Sequence, residues 1–204
     1  GFVRRRSLSM PSDPVEDIAF GQGSSCAIAA DKDSVYWVKV VPGVNLDVIR
    51  SAAHKNISGQ SDVVPQVAQV DSLDATDPRS IYWASKGKQS VFGALKQNGM
   101  ITSVGIGTAP CAARVLGQYV YWSDCAAGKI FKVSLDGTAP TSLAMGAHNP
   151  VALVPFGAYV YWVDEMSAGS VNRILDTFSS NIEPLAADQS MPSSIAVDPT
   201  GTAV

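Results

Sequence analysis

A β-propeller of about five four-stranded blades is the all-β architecture this sequence predicts, and three observations predict it. Four Tyr-Trp pairs, Tyr36-Trp37, Tyr82-Trp83, Tyr121-Trp122 and Tyr161-Trp162, are separated by 82−36 = 46, 121−82 = 39 and 161−121 = 40 residues. A period near 40 built of short apolar runs is that of a repeating blade. Only 16% of the 204 residues are charged, below the usual ~25%, while glycine and proline number 17 + 12 = 29, which suits short strands joined by tight turns. Finally, residues 1–8 align with residues 128–135, the third strand of a repeat, and residues 195–204 read as a first strand entering a second. The two ends therefore supply one blade between them, and residues 1–204 form a single domain, either a closed ring of five or five blades' worth of a longer one. Pairing of the ends would remove exposed sheet edges.

With the strands of a repeat labelled A to D, residues 1–8 begin at strand C. In the first full repeat, Tyr36-Trp37 mark strand B, strand C covers about 46–51 and strand D about 63–67, with a loop from His54 to Ser61. The second repeat has Ile81-Tyr82-Trp83 in strand B, residues 90–95 in strand C and Asn98-Gly99 at the following turn. The third is the clearest. Strand A is 111–116, Gly117-Gln118 turn into strand B at 119–123, a loop covers 124–128, strand C is 129–135 with period-two alternation, Asp136-Gly137 predict a type I′ hairpin, and strand D is 141–144. The fourth has strands at 151–156, 159–163, 170–175 and 182–187. Pro110, Pro150 and Pro192 each open a strand A, where a first-residue proline at a sheet edge removes no ladder bond.

Side chains alternate across a strand, so each Tyr-Trp pair buries one ring on either side of its sheet, between neighbouring blades. These aromatics read as core rather than as ligand-stacking residues. Of the three cysteines, Cys111 lies early in strand A and Cys125 just past strand B of the same hairpin, at the spacing a disulfide needs; two buried thiols are the alternative. Cys26 shares the Cys111 column but has Val40 where Cys125 would stand, which makes it a free buried thiol. No CxxC occurs, and no metal or cofactor is expected.

A net charge of −3 argues against nucleic acid as a partner. Arg4-Arg5-Arg6 lie within a strand pattern and read as a solvated face, and no apolar run approaches the ~20 residues of a membrane span. Asn56-Ile57-Ser58 matches a glycosylation sequon in the predicted 54–61 loop. The loops joining B to C and D to A share one end of the ring. They carry the candidate ligand face: Asp71, Asp124, His148, Asp164, Glu165 and Asp188, with Lys86 and Lys88. His54 falls at the opposite end, so the two histidines cannot share a metal. Asp164-Glu165 read chiefly as a solvated loop tip, His148 as a loop residue. Arg114 interrupts strand A where the aligned residues are Ala29, Ala75 and Val154; it either lines the central channel and meets an anion or pairs with an acid of the adjacent blade. No catalytic residue is assigned.

Tyr161-Trp-Val-Asp164 and Tyr121-Trp-Ser-Asp124, followed by 130–135 and Asp136-Gly137, resemble the YWTD repeats of low-density-lipoprotein-receptor-type propellers and the related Tyr-Trp repeats of bacterial secreted proteins. Residues 196–201 are similar to an NHL-type strand A. The first two pairs lack the Asp, being followed by Val38-Lys39 and Ala84-Ser85, and the receptor-type ring has six blades. The resemblance implies an extracellular, cell-surface or periplasmic propeller that binds or scaffolds without chemistry of its own. A protein or carbohydrate ligand is the expectation; a channel-mouth lyase or hydrolase is the alternative.

Overall fold

Eighteen strands and no helix are formed by the residues described in the computed structural model, namely 2–7, 9–10, 12–23, 27–41, 43, 46–54, 56–177 and 181–198, with backbone alone at 56–58. Four antiparallel meanders of four strands follow one another along the chain. Blade I is β3 (Ile28–Ala30), β4 (Ser34–Val40), β5 (Asp47–Ala53) and β6 (Asn56–Val67). Blade II is β7 (Ser72–Asp74), β8 (Ser80–Ser85), β9 (Ser90–Leu95) and β10 (Ile101–Ile106). Blade III is β11 (Pro110–Leu116), β12 (Tyr119–Asp124), β13 (Lys129–Ser134) and β14 (Thr141–Met145), and blade IV is β15 (Pro150–Phe156), β16 (Tyr159–Asp164), β17 (Gly169–Leu175) and β18 (Glu183–Gln189). A fifth sheet holds β1 (Phe2–Arg5) and β2 (Glu16–Phe20), the predicted strands C and D of the shared blade. Arg4 and Arg5 pair across it with Asp17 and Glu16, each at 2.6 Å, and Arg6 is exposed.

The Tyr-Trp pairs assemble the ring. Trp37, Trp83, Trp122 and Trp162 are fully buried. Trp37 packs with Val3, Ile18 and Ala19 of the fifth sheet. Tyr36 then joins the core of Trp83, Tyr82 that of Trp122, and Tyr121 that of Trp162. The Trp of each of the four blades thus faces the preceding blade, and the Tyr of blades I to III faces the next, because adjacent residues of strand B point to opposite faces.

Several local expectations change. The 54–61 loop is strand: β5 and β6 continue to an Ala53↔Asn56 pair. Cross-strand contacts hold this extension, with Arg50 bonded to Asp62 (2.7 Å) and Gln60 (3.0 Å) and the Ser51 and Ser61 hydroxyls 3.1 Å apart. The sequon therefore opens β6 rather than lying in a loop. Asp136-Gly137 do not form a two-residue hairpin. The 135–140 connection is longer: the Asp136 carboxylate accepts the Thr138 N–H at 3.1 Å, and Pro140, which has no N–H, precedes β14. Pro110 and Pro150 do open their strands, whereas Pro192 opens none and residues 192–198 run without strand structure. Residues 199–204 and Cys26 lie outside the described residues.

Candidate functional site

The first strands of the blades surround a central channel, a cavity of about 270 Å³. Ile28, Leu73, Cys111 and Val151 come from strand A of blades I to IV, and Ser193 to Ile195 complete the wall. The final segment thus occupies the fifth inner position even without forming a ladder.

Arg114 lines this channel. Its guanidinium donates to the Ala113 carbonyl at 2.7 Å and, among the described residues, enters no ion pair. Asp74, an acid on strand A of the adjacent blade, is engaged elsewhere. Its oxygens accept the Thr76 N–H and hydroxyl at 2.8 and 2.6 Å and the Val115 N–H at 3.3 Å. Asp71 lines the channel beside blade II and accepts the Lys86 N–H at 2.7 Å and the Gln69 amide at 3.2 Å.

Asp124 and Asp164, the last residues of their strands B, point inward and are almost fully buried. Asp124 accepts the backbone N–H groups of Thr108 (2.5 Å), Ala109 (3.0 Å) and Ala127 (3.0 Å). Asp164 accepts those of His148 (3.1 Å) and Asn149 (3.3 Å), the Asn172 amide (3.1 Å) and the Ser170 hydroxyl (3.4 Å). Each carboxylate therefore ties the D-to-A loop before its blade to the B-to-C side, satisfying buried donors whose loss would be costly. His148 is exposed, as are Lys86 and Lys88. Glu165 is half-buried, and its backbone exchanges bonds with Asn149 at 3.0 Å. Asp188 lies on β18 rather than in a loop and is exposed, at φ 54°. The face thus gathers Asp71 and Arg114 in the channel and leaves His148 and Glu165 on the loops of blade IV and Asp188 near the end of β18.

Cys111 and Cys125 are joined by a disulfide, with Cα atoms 6.0 Å apart. Cys111 occupies a bulge between Pro110 and Ala112 in the β11–β12 ladder, which leaves it free to face the residue after Asp124.

The opposite end holds polar clusters that the sequence reading missed. Lys96 reaches from blade II to Asp31 of blade I (2.7 Å) and to the Ala75 and Asp77 carbonyls (2.8 and 2.6 Å). The Tyr36 hydroxyl donates to the same Asp31 carboxylate at 3.0 Å, and His54 Nε2 lies 2.9 Å from the Asp31 carbonyl. Burial tends to raise the Asp31 pKa, but Lys96 and the N–H groups of Asp33 and Ser34 outweigh it and lower it from 3.8 to about 2. Burial and then Asp31 push Tyr36 up to about 12. Between blades III and IV the Asp176 carboxylate accepts from both Lys132 and the Tyr121 hydroxyl at 2.8 Å. A signal existed for part of this: Asp31 and Asp77 each stand five residues before a Tyr-Trp pair (36−31 and 82−77). Each caps its A-to-B turn, accepting the Ser34 or Ser80 N–H at 2.7 Å.

No family model and no curated protein matches this sequence. Solved structures do. A chain of a nidogen/laminin complex superposes with a TM-score of 0.68 at 17% identity, over 88% of this chain and 71% of that one. Streptogramin B lyase gives 0.63 at 16%, over 81% and 55%, and the hydrazine synthase of Kuenenia stuttgartiensis 0.64 at 13%, over 84% and 51%. The chain spans about half the length of the latter two. These similar folds serve both a protein complex and enzymes, so the fold does not decide catalysis. Together with the repeat, they establish the chain as a β-propeller.

Proposed function

We propose that this is a non-catalytic binding or scaffold propeller of the cell surface or extracellular space, with a protein as the favoured ligand and carbohydrate as the second choice. The observation that carries the reading is an apolar rim at the B-to-C and D-to-A end. Phe20, Ile106 and Met145 are the last residues of strand D in three blades and are 73%, 79% and 72% exposed. Met191, just past the end of β18, is 56% exposed. Large apolar side chains repeated at one end of a ring, among polar loops, are the pattern of a docking surface. The disulfide supports an oxidising compartment, and a similar fold occurs in a protein complex. Among the described residues no helix is long and apolar enough to cross a membrane.

The test compares the chain with a Phe20→Ser/Ile106→Ser/Met145→Ser variant in cross-linking to surface and secreted proteins of the source organism, alongside a glycan array. A protein captured by the parent and lost at least about ten-fold by a variant of unchanged melting midpoint is the expected result. Equal capture overturns the rim, and a silent cross-linking experiment with a specific array signal replaces protein by carbohydrate.

A further inference from the structure

We propose that the central channel is a binding site for a small hydroxy-carboxylate of the sugar-acid class, held through the Arg114 guanidinium. Arg114 pairs with Tyr121, at the register where the other blades carry Ala29, Val154 and, in blade II, Asp74 rather than the Ala75 of the sequence alignment, so the repeat does not require a cation there. Arg4, Arg5, Arg50 and Arg173 each meet a carboxylate across a strand pair. Among the described residues Arg114 does not; a bond to the Ala113 carbonyl engages Nη1. A guanidinium carries five N–H donors in a planar fork that matches a carboxylate, and this fork is held in the wall of a cavity of about 270 Å³. That volume is at the small end for ligand pockets, which suits a compact molecule.

The rest of the lining selects the class. Asp71, Ser193 and Ser194 share the cavity with Arg114. The Asp71 carboxylate has lone pairs beyond those taken by the Lys86 and Gln69 donors. It accepts from a hydroxyl and repels a second negative charge. Serine hydroxyls both donate and accept. Ser72 also lines the cavity, its hydroxyl accepting the Ala113 N–H at 2.9 Å. One cation, one anion and the Ser193 and Ser194 hydroxyls around a small cavity thus complement a single carboxylate on a polyhydroxylated body better than phosphate or a dicarboxylate. Ile28, 60% exposed, supplies an apolar wall for the C–H face of a sugar ring. The site does not depend on the apolar rim, so failure of either leaves the other standing.

Calorimetric titration with D-glucuronate, D-glucose and inorganic phosphate tests this. The protein is expected to bind glucuronate saturably, in preference to phosphate and without measurable affinity for glucose. Arg114→Gln should weaken glucuronate at least about ten-fold, and Arg114→Lys should fall between. Should Arg114→Gln fail to fold, Ile28→Trp, at an exposed position that narrows the same channel, is expected to abolish binding. Absence of glucuronate binding in the parent, tighter binding of phosphate, or full affinity in the folded variants overturns the proposal.

Discussion

Each tryptophan of the repeat does the same physical work, filling the seam against the preceding blade. Trp122 is fully buried and stacks on Phe131, its cross-strand partner, with ring centroids 5.0 Å apart. Trp83 stacks on Phe92 at 5.5 Å. Trp122→Ala should cost about 3–5 kcal/mol of unfolding free energy, because the seam cannot collapse around so large a void; urea denaturation measures it, and an unchanged midpoint contradicts the core assignment. The burial of these rings followed from alternation alone. Their accommodation did not. Gly105 of blade II lies so close to the Trp122 indole that a Cβ there would approach it to 2.6 Å, a requirement set by the next blade and invisible in the local pattern.

Single elements show where turn chemistry competes with ladder extension. The β11–β12 and β15–β16 hairpins turn at Gly117 and Gly157, whose φ of 60° and 59° glycine adopts without steric cost. Blade I instead extends β5 and β6 by cross-strand polar pairs, which an apolar-pattern reading takes for a loop. The disulfide acts on the β11–β12 hairpin, whose ends are 14 residues apart in sequence. Reducing it, or a Cys111→Ser/Cys125→Ser variant, should lower stability by roughly 3 kcal/mol through the freed unfolded chain. Denaturation with and without reductant is the measurement. A thiol assay of denatured, unreduced protein that titrates all three cysteines would contradict the bridge itself.

Across the whole molecule, aromatic seams join the blades inside, and ion pairs at the A-to-B and C-to-D end join blade I to II and blade III to IV. The Lys96–Asp31 pair spans blades I and II with both side chains largely buried. Asp31 is held below its ordinary 3.8, at about 2, so its contribution is complete above about pH 4 and is lost as the pH falls toward 2. Lys96→Met should therefore destabilise at pH 7 by about 1.5–3 kcal/mol, and the gap from the parent should close between about pH 4 and 2. A gap that persists at the acid end would show that Lys96 acts by packing rather than charge.

What the sequence by itself determined was the repeat and its strand order, because both rest on periodicity; it placed Cys111 and Cys125 on one hairpin at bridging distance, and the structure decided for the disulfide over two buried thiols. The inward turn of Asp124 and Asp164 depended on loops folding back some fifteen residues onto a strand end. The Lys96–Asp31 contact joins residues 65 apart. The choice between the two sequence readings of Arg114 was made only when strands from Ile28 to Val151, with Ser193 to Ile195, met around one cavity. Those features were decided by the tertiary structure, since ring closure brings together side chains that no local pattern relates.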